Sequence, residues 1–275
     1  MPYALTLDNL LSAPGVDSLR RCGATHFIHC AALAHRNQPR SHAALQHITR
    51  VNTQLPVRLA RIAIESGVRR FVFISSAGVH GSSSLPSSSF NESSPIAPSN
   101  AYSNSKAEAE RLLRSIFSNS SCELVILRPA LVYGPMLIGN LRSLVSAVDC
   151  CIPFPFSAIR NRRSLVALSN LLSAIEHVSL HPSAAGQSYM VADREYISIS
   201  ALISFIAKAR SRPCFQFPVP RLILSQIARI PFFDGKLNQL IGDLVIDSSK
   251  IRAELCWEQP VSQCDAMLEA FSARQ

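Results

Sequence analysis

The sequence predicts an α/β fold organised on a parallel, doubly wound sheet. Two observations carry that prediction. Short apolar runs at residues 25–30, 71–74 and 124–127 alternate with longer segments whose apolar residues recur at helical spacing. The order strand, helix, strand, helix, strand then calls for right-handed crossovers, which make neighbouring strands parallel. Ligands of such sheets bind outside the carboxyl ends of the strands. The residues that follow each run are therefore the first candidates for function.

Taken in order, the first run is Thr25-His26-Phe27-Ile28-His29-Cys30, ending in Ala31-Ala32, and it reads as a buried strand. Over 41–66, Leu45, Ile48, Leu55, Leu59 and Ile62 keep near-helical spacing, and Gly67 can close the helix. Pro56 falls inside it and should kink or break it, because proline has no N–H and its ring meets the carbonyl four residues earlier. Phe71-Val72-Phe73-Ile74 is a second buried strand, ending at Ser75-Ser76. Residues 81–100 are rich in Ser and Pro and read as a loop. A helix follows over 102–117, then a third strand over 124–127 that ends at Arg128-Pro129. Beyond Gly139 prolines interrupt the pattern. Helices are expected at 165–178 and 200–209, and 188–191 reads as a strand returning to the sheet. The expected division is a sheet domain over 1–135, with a returning strand near 187–192, and a smaller lobe over 136–275.

Composition narrows the function classes. The chain has 275 residues, 48% hydrophobic and 16% charged, as in a well-cored globular protein. The net charge is +9, yet Lys and Arg form only short runs such as Arg160-Asn161-Arg162-Arg163. No basic stripe interleaved with aromatics is present, so no nucleic-acid partner is expected. A phosphate-bearing small substrate accounts for local arginines equally well. The 8 cysteines include no C-x-x-C pair and fit reduced thiols. With no signal peptide and no apolar run of the ~18 residues a membrane span needs, a cytoplasmic location is expected. His26 and His29 lie on a strand at odd separation and point to opposite faces, so no metal site is expected.

Within the 102–117 helix, Tyr102 and Lys106 are four apart and share one face. A free phenol titrates near pKa ~10, and a general base works best near pH ~7. Bridging that gap takes about 4 kcal/mol of preferential stabilisation of the phenolate, much of which a neighbouring ammonium can supply. Alone, the pair reads as two surface residues. Its position between the strand ends at Ser76 and Arg128 is what favours chemistry.

Further landmarks follow in order: Phe27-Ile28-His29-Cys30-Ala31-Ala32, Val51-Asn52, residues 71–81 with Val79-His80-Gly81, Tyr102-x-x-x-Lys106, Leu127-Arg128-Pro129-Ala130-Leu131-Val132-Tyr133-Gly134-Pro135, Asn161-Arg162-Arg163-Ser164 and Leu255-Cys256-Trp257. On these, the chain resembles the NAD-dependent epimerase/dehydratase family, extended short-chain dehydrogenases that act on nucleotide sugars, in its UDP-glucose 4-epimerase-like branch. The resemblance implies a Rossmann-type NAD-binding domain, a nucleotide-sugar-binding lobe and a catalytic triad of Ser76, Tyr102 and Lys106. Tyr102 would transfer the proton. Lys106 would bond the nicotinamide ribose and lower the tyrosine's pKa, and Ser76 would bond the reacting sugar hydroxyl. Asp8, Ala31 and Asn52 match cofactor-contacting positions; Asn140 and Arg163 match positions that hold the substrate diphosphate. The implied cofactor is NAD, with NADP open. The implied activity is C4 epimerisation of a UDP-hexose or UDP-N-acetylhexosamine through a 4-keto intermediate, for surface polysaccharide synthesis, with a homodimer allowed. A UDP-deoxy-sugar 4-ketoreductase using the same three residues is the alternative.

Two departures from the family pattern qualify this. The family opens with a strand, a G-x-x-G-x-x-G turn and a helix whose N-terminus holds the cofactor pyrophosphate. Before Gly67 this chain has only Gly15 and Gly23, so it is expected to start at the family's third strand, with residues 3–7 as the remnant. Such an N-terminally truncated sheet would leave 25–30 unpaired on one side and weaken NAD binding, and a catalytically inactive remnant is a third reading. Gln239-Leu240 stands where many relatives carry an Arg against the nucleotide, and His80 stands where the family has Tyr.

Overall fold

A computed structural model describes residues 13–34, 41–85, 87–137, 139–227 and 236–272. Asp8 and the expected strand remnant at 3–7 lie outside the described residues. After α1 (Ala13–Arg21) comes β1 (His26–His29). A continuous helical segment follows, made of α2 (His42–Thr49), a π-helical turn (Arg50–Gln54) and α3 (Leu55–Glu65), and leads to β2 (Arg70–Ile74). A short 3-10 turn (Ala77–His80) precedes α4 (Ala101–Phe117), β3 (Glu123–Pro129) and β4 (Leu131–Tyr133).

Pro56 does not break the expected helix; the turn before it widens. The Leu55 N–H bonds Arg50 O five residues back, and Pro56 sits in the first turn of α3, where its missing N–H costs no helical bond.

The main sheet runs β1–β2–β3–β6, with β6 spanning Ser188–Val191, and every pairing is parallel. Phe27 stands opposite Phe71, Phe71 opposite Leu124, and Leu127 opposite Tyr189. Among the described residues β1 is an edge strand. Alternate side chains serve opposite layers. Phe71, Phe73, Leu124 and Ile126 pack with Leu59 and Ala63 of α3 and Ala109 and Leu113 of α4. Val72, Val125 and Leu127 pack with Leu171, Ala174 and Val178 of a helix on the other side. Both faces are covered, which is why these strands read as unbroken apolar runs.

That covering helix corrects one expectation. The segment 165–178 is not helical throughout: β5 (Arg163–Ala167) comes first and α6 (Leu168–Leu180) follows. Ser164 to Ala167 are buried between β4, parallel on one side, and β7 (Tyr196–Ile197), antiparallel on the other. A short apolar run buried on both sides has no periodicity that separates strand from helix. The rest of the second half, α5 (Gly139–Asp149), α7 (Ile199–Ala209) and α11 (Gln263–Ser272), encloses a separate core of Leu141, Val145, Phe154, Leu165, Ile203, Ile206 and Phe271. Smaller helices α8 (Arg221–Ile227), α9 (Lys236–Ile241) and α10 (Ser249–Leu255) complete it.

At the amino end of the sheet, Arg70 is 1% exposed. Its Nε bonds Glu123 Oε2 at 2.7 Å, and Nη1 donates to the carbonyls of Val178, Ser179 and His181 at the end of α6. A cation at a helix C-terminus satisfies the last carbonyls and meets the negative end of the dipole. Among the described residues no helix is long and apolar enough to cross a membrane.

Candidate active site

The carboxyl ends of β1, β2 and β3 converge on the start of α4. That start is fixed by a reciprocal cap: Asn100 Oδ1 accepts from the Ser103 N–H at 2.9 Å, and Ser103 Oγ accepts from the Asn100 N–H at 3.2 Å. Tyr102 therefore falls in the first turn, with Lys106 one turn further along. Lys106 is 1% exposed. Its Nζ donates to Ile74 O at 2.7 Å, at the end of β2, and lies 4.5 Å from the Phe73 ring centroid.

These surroundings set the charges. Burial lowers the Lys106 pKa to about 8, while the neighbouring Cys30 and Glu110 oppose that shift. Burial pushes the Tyr102 phenol up to about 12. The sequence led us to expect an ammonium that acidifies the phenol; in this structure that ammonium faces the Ile74 carbonyl and the Phe73 ring, and desolvation governs Tyr102. Bringing the phenol to pH ~7 now takes about 7 kcal/mol rather than about 4.

Ser76 caps the 3-10 turn. Its backbone is extended and its Oγ accepts from the Gly78 N–H at 3.1 Å. The turn lies close against α4, since a Cβ added at Gly78 would come 3.2 Å from Ser76 Oγ and 3.7 Å from Ser103 Cβ. Thus Ser76 and the residue after Tyr102 flank one glycine.

Beneath them runs a buried polar chain that sequence reasoning missed. Ser75 Oγ donates to Glu110 Oε1 at 2.5 Å. Glu110 and Arg128 form a two-pronged ion pair, with both side chains 5% exposed. Arg128 Nη1 lies 3.0 Å from His80 Nε2, and His80 Nδ1 lies 3.0 Å from Pro95 O. An arginine cannot accept, so His80 is neutral with its proton on Nδ1. Burial first, and then the Arg128 charge, lower its pKa against the Pro95 bond. Arg128 is thus a buried residue within β3, which runs on to Pro129 instead of ending at Leu127. The available signal was spacing, because Glu110 continues the four-residue step from Tyr102 to Lys106.

Asn52 sits in the π turn with no exposure. Its side chain accepts from the Leu33 N–H at 2.7 Å and donates to Leu33 O at 3.2 Å and Ser105 Oγ at 3.0 Å. Thr53 Oγ1 donates to Ser105 O at 2.9 Å. Asn52 thus ties the chain after β1 to α4. Ala31 and Cys30 are exposed at the end of β1. His29 is 3% exposed, stacked on Phe73 with ring centroids 5.8 Å apart, and its Nε2 has no partner among the described residues. Burial lowers its pKa to about 4, with the Lys106 charge acting in the same direction.

The two expected diphosphate residues lie on the lobe. Asn140 is exposed on α5. Arg163 of β5 donates to Gln239 O and, at 3.2 Å, to Gly242 O, closing the end of α9. Neither shares a hydrogen bond or ion pair with Ser76, Tyr102 or Lys106 among the described residues.

A nicotinamide nucleotide fits the sheet end on the chemistry present: small exposed residues at Ala31 and Cys30, the Lys106 ammonium at the end of β2, and Tyr102 in the first turn of α4. The pyrophosphate cradle is not among the described residues.

Comparison with known proteins agrees. The sequence profile of the NAD dependent epimerase/dehydratase family matches residues 11–191. A UDP-glucose 4-epimerase of Vibrio cholerae is 38% identical over 237 residues, covering 86% of this chain and 72% of that protein. The N-acetyl-alpha-D-glucosaminyl-diphospho-ditrans,octacis-undecaprenol 4-epimerase of Escherichia coli O157:H7 is 25% identical over 174 residues, and the match spans 62% of this chain and 52% of that one. Among solved structures, the UDP-glucuronic acid 4-epimerase of Bacillus cereus in complex with NAD superposes with a TM-score of 0.73 at 18% identity, over 93% of this chain and 75% of that one. At that identity the likeness carries the fold.

Proposed function

The chain belongs to the NAD-dependent epimerase/dehydratase family, a class of NAD-using enzymes, and from that premise we propose that it inverts C4 of a UDP-hexose or UDP-N-acetylhexosamine for surface polysaccharide synthesis in the cytoplasm. The observation that carries this reading is Tyr102 and Lys106 in the first turns of a capped helix that abuts the Ser76 turn. The 38% identity to a UDP-glucose 4-epimerase supports a UDP-sugar.

Bound NAD would accept a hydride from C4 of the sugar and return it to the opposite face. The residues of the chain handle the proton. Tyr102, as phenolate, takes the proton of the 4-hydroxyl and later gives it back to the 4-keto oxygen. Ser76 Oγ accepts from the Gly78 N–H and has its own O–H left to donate to that sugar oxygen. Lys106 would bond the nicotinamide ribose of bound NAD. In moving from the Ile74 carbonyl it brings its charge toward Tyr102 and supplies part of the about 7 kcal/mol the phenol requires. Asn140 and Arg163 hold the diphosphate, Arg163 by exchanging the α9 carbonyls for phosphate oxygens.

Replacing Tyr102 with Phe tests this. With UDP-glucose or UDP-N-acetylglucosamine as substrate, turnover is expected to fall by about a thousandfold or more. Turnover kept within tenfold would refute the role. Consumption of NADH in proportion to product would mark a ketoreductase instead.

A further inference from the structure

Glu110 stands on α4 one turn after Lys106 and two turns after Tyr102, so the three side chains succeed one another along one face. Both of its oxygens are engaged. Oε1 accepts from Ser75 Oγ and from Arg128 Nε at 3.0 Å, and Oε2 accepts from Arg128 Nη2. Ser75 immediately precedes Ser76. The remaining Arg128 nitrogen reaches His80, the last residue of the turn that Ser76 caps. The segment that carries Ser76 is thus tied at both ends, through one carboxylate and one guanidinium, to the helix that carries Tyr102.

Stability alone does not call for this arrangement. The cost of desolvating a buried ion pair roughly cancels its attraction, and well-packed apolar residues of similar volume often do as well. Apolar contacts do not fix direction, however. A guanidinium fork on a carboxylate sets both distance and angle. We propose that Glu110 and Arg128 are positioning residues, which hold the Ser76 hydroxyl and the Tyr102 phenol in one relative geometry for proton transfer. The proposal rests on the roles given above to Ser76 and Tyr102.

The test uses the full chain carrying Glu110→Met together with Arg128→Met, labelled with 3-fluorotyrosine. The Tyr102 fluorine line is assigned by its loss in Tyr102→Phe. The unfolding midpoint is expected within about 5 °C of the parent. The Tyr102 line should broaden or split, and kcat should fall by about a hundredfold with KM unchanged within about threefold. A single unmoved line, or an unchanged kcat, overturns the proposal. Glu123→Gln, at the opposite end of the sheet, is the control; an equal loss of kcat there would mean a global effect and would also overturn it. Where the double variant fails to fold, Ser75→Ala removes one hydrogen bond and no charge. The same line should then move and kcat fall by about threefold to tenfold, and an unmoved line overturns the proposal. If Tyr102→Phe keeps its turnover, the catalytic reading fails and the fluorine line alone decides whether the pair fixes Tyr102.

Discussion

Each end of the sheet holds a buried arginine paired with a glutamate, and the pairs differ in what surrounds them. At the amino end, Arg70 meets Glu123, whose side chain is 29% exposed, and its spare nitrogen goes to backbone carbonyls of α6. At the carboxyl end, Arg128 and Glu110 are each 5% exposed, and their spare valences go to a histidine and a serine hydroxyl. The first fastens a helix terminus, where any donor of the right reach would serve. The second joins side chains whose relative direction matters. One chemistry therefore serves stability at one end and geometry at the other.

The largest effect expected is at the amino end. Arg70→Met leaves Glu123 and the carbonyls at the end of α6 without their donor, and should cost about 4 kcal/mol in urea unfolding. The kcat of the folded fraction should not change; a matching loss of kcat would break the comparison. Glu110→Gln leaves Arg128 buried without its counter-charge, at a cost of about 3 kcal/mol. Unlike Arg70→Met, it should also lower kcat at fixed KM.

Acid should act mainly at the carboxyl end. The pKa of His29 is lowered from 6.5 to about 4, so the unfolded chain binds the proton more tightly than the folded one. Stability is full above pH 6.5, falls as the pH drops below it, and the loss is complete near pH 4, amounting to about 3 kcal/mol. His29→Phe, which can stack on Phe73 in the same way, should flatten most of that slope in melting curves recorded against pH. His80, shifted in the same direction, leaves a remainder. The smallest effect concerns the glycine between Ser76 and Ser103. A methyl group at Gly78 would crowd Ser76 Oγ at 3.2 Å, and Gly78→Ala should cost about 1 kcal/mol of stability, read as a melting temperature lowered by about 2–4 °C, together with a reduced kcat.

How much of this was legible in the sequence depends on the range of the interaction. Strands β2 and β3 showed themselves because both faces are covered, and the helix expected over 102–117 is α4. The order of landmarks identified the family. Segment 165–178 misled because four buried residues carry no period, and only their neighbours β4 and β7 make β5 a strand. Glu110 and Arg128 are 18 residues apart and His80 is 48 from Arg128; no local rule pairs them. The resting place of Lys106 at the Ile74 carbonyl likewise depends on how α4 lies across β2. The carbonyls at the end of α9 that Arg163 meets lie 76 and 79 residues along the chain, beyond any local rule.

The π turn before Pro56 also sets the phase of the whole rod. It places one residue more in the rod than an α-helix of equal rise would hold. A chain shortened by a single residue between 50 and 54 would return this stretch to plain α-helical pitch and set the Pro56 ring against the carbonyl four residues earlier. The shortened rod would also turn α2 by about 100° against α3 and swing the Asn52 amide off the Leu33 backbone. The surplus residue works as a phase shifter, allowing one helical rod to present an apolar stripe to the sheet and a polar clasp to the strand end.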